Sequence, residues 1–401
     1  MNLSRIEFFV AVLMINLFFL HRPCEKQSSP HWYKGSLHTH SLWSDGDAFP
    51  EIVADWYKWH GYHFVAMSDH NSIQQKEKWV NVSGTAVLLQ AFETYQSKFG
   101  KDWVECKKDT GGVQVRLKTI GEYKPVLEEK DQFLIIPSEE ISDRFEGRPI
   151  HLNAVNLQEL VRPQKGQSVA DVLQRNMDAV IRQGEELNVP VLVQINHPNY
   201  KYALTVQDIT VLENARFMEI HNGYSPNHNE GDSIHPGTEE MWDQMNIAFL
   251  KKGKQLLYGV ASDDSHHFQV FDNGKANPGR GWVMVQADRL TPGSLIEGML
   301  RGNFYASTGV TLKETGFKNN QLKISVEKEP GVQYRIQFIG CRVHDKETTV
   351  LMETAGSEAV FKLTNDILFV RAKIISDKLK ENPTLEGECE VAWSQPIMEK
   401  K

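Results

Sequence analysis

Leu37-His38-Thr39-His40-Ser41, followed by Ser44-Asp45-Gly46 and then Met67-Ser68-Asp69-His70-Asn71, is the stretch that decides how the chain is read. Side chains on an extended strand alternate with period two, so His38 and His40 share a face and can reach one cation. The residues before His38 are small or apolar, and the Ser-Asp-Gly run after His40 reads as a turn. The pair therefore belongs at the C-terminal end of a first strand, where (β/α) barrels gather their catalytic residues. A lone HxH is weak, since any exposed strand can carry one.

The rest of the chain repeats the design. Phe133-Leu134-Ile135-Ile136 reads as a buried strand and runs into Pro137-Ser138-Glu139-Glu140-Ile141-Ser142, with His151 soon after. Val189 to Ile195 is apolar and ends in Asn196-His197-Pro198, and Phe217-Met218 leads to Glu219-Ile220-His221-Asn222. Leu256 to Ala261 enters Ser262-Asp263-Asp264-Ser265-His266-His267. Strands that end in His, Asp or Glu, several of them separated by helix-length segments, predict an α/β fold with one polar rim. Imidazole and carboxylate without cysteine suit Zn, Mn or Fe rather than a thiolate site.

The ordered set HxH, SDG, SDH, SEEIS, NHP and SDDSH resembles the PHP (polymerase and histidinol phosphatase) superfamily, from about Trp32 to Gly309. Within it the chain looks most similar to exported proteins that join a leader, a PHP domain and a C-terminal β domain, near the carbaryl-hydrolase-like branch. The resemblance implies a distorted (β/α)7 PHP barrel with a small C-terminal β-sandwich-like domain. It also implies two or three divalent metal ions (Mn, Zn or Fe) at the rim. Carried over by position, one ion falls to His38, His40, Glu140 and Asp264. A second shares Glu140 with His151 and His197, and a third takes Asp45, His70 and His266. The chain departs from many relatives at Ser138, where they have glycine. SDDSH offers two aspartates, and Asp264 is preferred over Asp263 because only its spacing reproduces the family's DxH. Glu140, Asp264 and His197 are the residues implied in catalysis.

That ligand set sets three carboxylates against the charges of up to three divalent ions. The filled site stays positive, which favours a small anionic substrate such as a phosphate ester. Clustered ions also lower the pKa of bound water, and no Ser-His-Asp arrangement or G-x-S-x-G elbow is evident. The expected activity is thus a metal-dependent phosphoesterase hydrolysing a nucleotide or other small phosphate ester with metal-bound hydroxide, and the resemblance implies the 3',5'-nucleoside bisphosphate phosphatase or exonuclease-like type. A carbamate, ester or amide hydrolase on the same metals is the first rival. A non-catalytic exported protein that binds metal, glycan or a partner is the second.

Other polar residues are weighed singly. Asp69, Asp263, Glu219 and His221 are expected to support the ligands, since such residues commonly orient metal-bound histidines. Arg144, Arg148 and Arg280 are candidate phosphate clamps, because a guanidinium matches phosphate in bidentate fashion. Asn153 and Asn222 read chiefly as packing residues, and His60, His63, His228 and His235 as ordinary core or exposed histidines.

With 401 residues, 40% hydrophobic and 24% charged, the composition is that of a globular enzyme. A net charge of -8 argues against a general nucleic-acid surface. Residues 1–27 are read as a signal peptide or membrane anchor built on the apolar run Phe8–Leu20, shorter than the ~20 residues of a membrane span. Export to the periplasm, the cell exterior or a membrane surface follows, with Cys24 in a poor lipobox. The metal domain is assigned to 30–309 and the β domain to 310–401, where helical patterns give way to short alternating runs ending in Ala392-Trp393-Ser394-Gln395-Pro396. Cys341 and Cys389 are a candidate disulfide or two free thiols. Residues 72–130 form a polar insertion, either a cap on the rim or a surface excursion.

Overall fold

The computed structural model describes residues 31–399, so the expected leader lies outside the described residues. No helix among the described residues is long and apolar enough to cross a membrane.

The first strand, β1 (His31–Ser36), is followed by α1 (Pro50–Trp59) and β2 (Phe64–Met67). The insertion then supplies β3 (Trp79–Asn81), α2 (Ala86–Phe99), β4 (Cys106–Asp109), β5 (Gly112–Arg116) and α3 (Ile120–Leu127). Next come β6 (Leu134–Phe145), β7 (Arg148–Val155), α4 (Val169–Leu187), β8 (Leu192–Ile195) and α5 (Val206–Thr210). After these are β9 (Phe217–Asn222), α6 (Thr238–Lys251), β10 (Tyr258–Ser262), β11 (Trp282–Ala287), α7 (Pro292–Leu300) and β12 (Phe304–Ser307). The C-terminal part adds β13 (Leu312–Lys318), β14 (Gln321–Val326), β15 (Tyr334–Arg342) and β16 (Thr349–Ala355). It ends with β17 (Glu358–Lys362), β18 (Ile367–Leu379) and β19 (Cys389–Ser394).

Local chemistry explains the helix ends. The Ser168 side chain accepts from the Asp171 amide to start α4, and Asn188 closes it in the left-handed conformation. Thr291 caps α7, with Pro292 at the first helical position where its missing N–H costs nothing.

A 13-stranded sheet runs β10-β9-β8-β7-β6-β2-β1-β11-β12-β19-β18-β15-β16. β1, β2 and β6 are mutually parallel, as are β8, β9 and β10, while β7 is antiparallel to both of its neighbours. The sheet is rolled. His38, just beyond β1, contacts Glu219 of β9 at 2.7 Å although β2, β6, β7 and β8 separate the two strands in the order. At the rim Thr39 forms a parallel bridge with Ser265, and the His40 amide donates to the Ser265 carbonyl at 2.9 Å. Below the rim, β11 occupies the edge of β1 in antiparallel register, so the strand pairing does not draw the closed (β/α)7 barrel that the resemblance implied. The roll is pinned at its C-terminal end and open along β10.

Two features finish the open seam. Any side chain at Gly281 would meet the backbone of Ser262 at 2.7 Å, so glycine lets the start of β11 press against the end of β10. Gln395 then covers the free edge of β10, accepting from the Gly259 amide at 2.8 Å and donating to the Gly259 carbonyl at 2.9 Å. Phe64, Ala66, Ile136, Val155, Leu192, Phe217, Val260, Val283 and Val285 fill the inside of the roll as one cluster. Met177, Trp242 and Met245 belong to a second cluster beneath α4 and α6.

The C-terminal strands form a sandwich. The three-stranded sheet β13-β14-β17 packs on the far end of the long sheet through Leu322, Ile324, Ile336, Phe338, Val370 and Ile374. The long sheet crosses the junction, because β12 pairs with β19 in the register Ala306 to Trp393. Arg371 on β18 adds a buried anchor, donating to Asp243 of α6 at 2.7 and 2.8 Å. The insertion has a core of its own around Val82, Tyr95, Val104, Val115 and Leu117, shared with Leu42, Trp43 and Phe49. Cys341 and Cys389 are free thiols rather than a disulfide, as is Cys106.

Candidate metal centre

Glu140 is the hub of the rim. It lies inside β6, fully buried, and five imidazoles surround it. His70 Nδ1 is 2.7 Å from Oε2, and His197 Nε2 and His151 Nδ1 are 3.0 and 3.1 Å from Oε1. His38 Nε2 and His40 Nε2 stand farther off, at 3.4 Å from Oε1 and 3.5 Å from Oε2. Asp264 Oδ1 is 3.2 Å from Nε2 of both His38 and His40. Asp45 sits at the open side, its side chain 58% exposed, 3.6 Å from His70 Nε2, 3.4 Å from His266 Nε2 and 3.7 Å from His40 Nδ1.

The donor atoms fall into four overlapping groups, each held within 4.8 Å: His38–His40–Glu140, His38–His197–Asp264, His70–Glu140–His151, and His40–Asp45–His70–His266. All nine residues named as ligands from the sequence therefore converge on one cluster. His38, His40, His70 and Glu140 each belong to two groups, so the rim is more continuous than three separate sites.

The donors that best fit a cation are those without a well-formed hydrogen bond. His38 Nε2, His40 Nε2 and Glu140 Oε2 are buried and make none, although ionic neighbours stand 2.7–3.5 Å away, and a buried group left unsatisfied costs about 1–3 kcal/mol. Two donors each ~2.1 Å from a tetrahedral ion stand roughly 3.4 Å apart, close to the 3.2–3.5 Å spacings between these imidazoles and carboxylates.

Electrostatics agree with this geometry. Burial disfavours the charged form of Glu140, but His70, His151 and His38 outweigh it and hold the carboxyl well below its ordinary range. Burial likewise works against Asp264 and is overcome by His38, His40 and His266. Burial also opposes a charged His38, yet Asp264, Glu219 and Glu140 raise it well above the usual histidine value. His70 is lifted to about 9, with Glu140 overcoming burial. Burial and the adjacent His266 push His40 down to about 4. Buried carboxylates this close need compensating positive charge.

The supporting residues divide sharply. Glu219 accepts from the His197 amide at 2.7 Å, contacts His38 Nδ1 and takes bonds from Ser262 and Asn222. It thereby leaves His38 Nε2 facing the cluster. Asp69 reaches the ligands indirectly, accepting from the Ser41 amide and hydroxyl, Gln74 and Ser44, while Ser44 Oγ lies 3.2 Å from His40 Nδ1. Asp263 turns away, bonded to the Tyr57 hydroxyl and the amides of Arg280 and Gly281. His221 also faces elsewhere, stacked on Trp393 beside a cavity of about 640 Å³ between α6 and the C-terminal strands.

Two of the three candidate arginines are committed to structural bonds. The Arg280 guanidinium donates to the carbonyls of Gly223, Lys275, Asp272 and Asn382 and ties the loop before β11 to the C-terminal region. Arg148 is paired with Asp208 and the Ala203 carbonyl, and Arg144 is exposed near the β6–β7 turn. Sequence reasoning gave too little weight to the asparagines. Asn196 donates to Glu140 Oε1 and Asn153 Oδ1, both at 2.9 Å, and Asn222 and Asn227 each donate to Asp264 Oδ2 at 3.3 Å. The available signal was position, since Asn196 precedes His197 and Asn222 follows His221 at strand exits.

No family model and no curated protein matches this chain. Among solved structures it is similar to a two-domain protein from Bacteroides vulgatus containing a domain described as a PHP-like metal-dependent phosphoesterase. That likeness has 15% identity and a TM-score of 0.40, and covers 91% of this chain and 95% of that one. A protein from Bifidobacterium adolescentis described as a metal-dependent phosphoesterase gives 13% and 0.28, over 62% of this chain and 91% of that one. An amidohydrolase from Chromobacterium violaceum gives 11% and 0.27, over 58% and 87%. The TM-scores are all below 0.5, so the functional reading rests on the ligand geometry.

Proposed function

We propose that this chain is a metal-dependent hydrolase acting on a nucleotide or other small phosphate ester. The observation that carries the reading is the buried set of imidazole and carboxylate donors around Glu140, with His38 Nε2, His40 Nε2 and Glu140 Oε2 making no well-formed hydrogen bond. The nine candidate residues would hold divalent ions, which would supply Lewis acidity and lower the pKa of bound water. The chain's own contribution is placement. Glu219 fixes His38 and the His197 backbone, Asn196 fixes Glu140, and the burial of His38 and His40 keeps bulk water behind the cluster. Asp45, His70, His151 and His266 form the more open face through which substrate enters.

A second reading, hydrolysis of a carbamate, ester or amide, has one observation in its favour. Arg148 and Arg280 are committed elsewhere, so a strongly anionic substrate meets no arginine clamp from them. A panel of p-nitrophenyl phosphates, nucleotides and aryl carbamates, assayed with Mn or Zn, decides between the two. Turnover of phosphate esters that is abolished by chelator is expected. Turnover confined to carbamates or amides would move the assignment to the second reading, and no turnover across the panel would contradict both.

A further inference from the structure

Two phenol rings flank the ligand cluster and neither has a role in it. Tyr200 lies with its ring 5.4 Å from that of His197 and 6.5 Å from that of His151. Tyr224 stands at another edge, 5.9 Å from the ring of His266. Both are partly exposed, and neither hydroxyl is bonded to another described residue.

The backbone around them is shaped with some strain. His197, Lys201 and Tyr202 have φ of +22°, +53° and +48°, and Asp264 and His228 have +50° and +47°. Left-handed conformations at non-glycine residues persist where the surroundings over-determine them, and they gather at functional sites. Here the surroundings are visible. The Tyr200 amide donates to the His197 carbonyl at 2.9 Å, and the Tyr202 ring is stacked against both His228, at 5.0 Å, and His235, at 3.9 Å. Tyr224 is tied to the ligand framework from its own side. Its amide donates to Asn222 Oδ1 at 2.9 Å, and Asn222 holds Glu219 and Asp264.

We propose that Tyr200 and Tyr224 are substrate-positioning residues, their hydroxyls donating from two sides to free oxygens of the group being hydrolysed. The inference rests on the hydrolase reading above and deepens it by naming the groups that would hold the substrate. A phosphate ester presents several free oxygens, so it can accept from both phenols at once. Arg148 and Arg280 are spent on structural bonds, while the Lys201 ammonium lies 5.2 Å from the Tyr200 ring centre.

The test uses the full chain loaded with Mn and the variants Tyr200→Phe and Tyr224→Phe, which keep the rings and remove only the hydroxyls. Metal content, melting temperature, kcat and KM on p-nitrophenyl phosphate, and calorimetric binding of inorganic phosphate are measured together. Each variant is expected to retain its metal and melting temperature, to lose at least about tenfold in kcat/KM, and to bind phosphate about tenfold more weakly. Phosphate binding within twofold of wild type in both variants would overturn the inference. A loss of binding that tracks a loss of metal would also overturn it, by showing a structural role. If the wild type cleaves no phosphate ester, the phosphoesterase reading fails, while the calorimetry still decides whether the phenols hold an oxyanion. A metal-loaded wild type that binds no phosphate would contradict the inference outright.

Discussion

At the scale of single residues, the adjacent aspartates separate two kinds of work. Asp264 Oδ1 meets the orphaned nitrogens of His38 and His40, whereas Asp263 accepts from Tyr57 and two loop amides. Asp264→Asn is therefore expected to lower metal content and activity together. Asp263→Asn should keep the metal and lower the melting temperature, as expected for about 1–3 kcal/mol of disturbed buried bonding. Metal analysis alongside calorimetry of the two variants checks this, and the opposite ranking would place the ligand at Asp263. Glu139 poses a different question. It is buried beside the hub with one bond, from the Val161 amide, and burial raises its pKa to about 8. Between the ordinary carboxylate range and about pH 8 the folded chain holds a proton that the unfolded chain has released. Stability must therefore fall as pH rises through that window. Glu139→Gln keeps an acceptor for Val161 and removes the ionisation. Its gain over wild type should grow between pH 5 and 8 to the order of a few kcal/mol. Parallel stability curves for the two proteins would refute the assignment. The ligand-type residues were legible in the sequence because strand exits and HxH spacing are local patterns. The Asp69–Ser44–His40 relay and the outward turn of His221 were not, since both depend on which face each loop presents after the chain has folded.

At the scale of elements, the seam beside β10 explains why the motif-bearing strands do not close as a simple ring. β11 and β12 return antiparallel and take the edge of β1, leaving Gly259 on β10 with a free donor and acceptor. Gln395 satisfies both from outside the strand. Gln395→Ala should therefore destabilise the fold by about 1–3 kcal/mol, the penalty for buried backbone groups left unpaired. Urea unfolding of the purified variant measures it, and an unchanged midpoint would mean that water replaces the amide. The strands themselves were readable as apolar runs, and so was the change to a β-rich C-terminal part. The antiparallel return and the continuation of the sheet through β19 were not. They depend on pairing between segments far apart in sequence, to which periodicity is blind.

At the scale of the whole molecule, one sheet joins the candidate metal centre to the sandwich. Removing residues 310–401 would strip β19 from β12, Gln395 from β10 and Arg371 from Asp243. The nine candidate ligands would all survive in such a fragment, yet it should aggregate or melt earlier because the exposed face is apolar. Light scattering and a melting curve of the purified fragment test this, and a monomer as stable as the full chain would contradict it. The central claim is that the buried cluster around Glu140 binds more than one divalent ion, and the most direct test is metal stoichiometry by mass spectrometry on the purified full chain. More than one equivalent of Mn, Zn or Fe per chain is expected, with at least one equivalent lost on replacing His38 and His40 together by alanine. A chain that holds no metal at micromolar Mn, Zn or Fe would contradict the account.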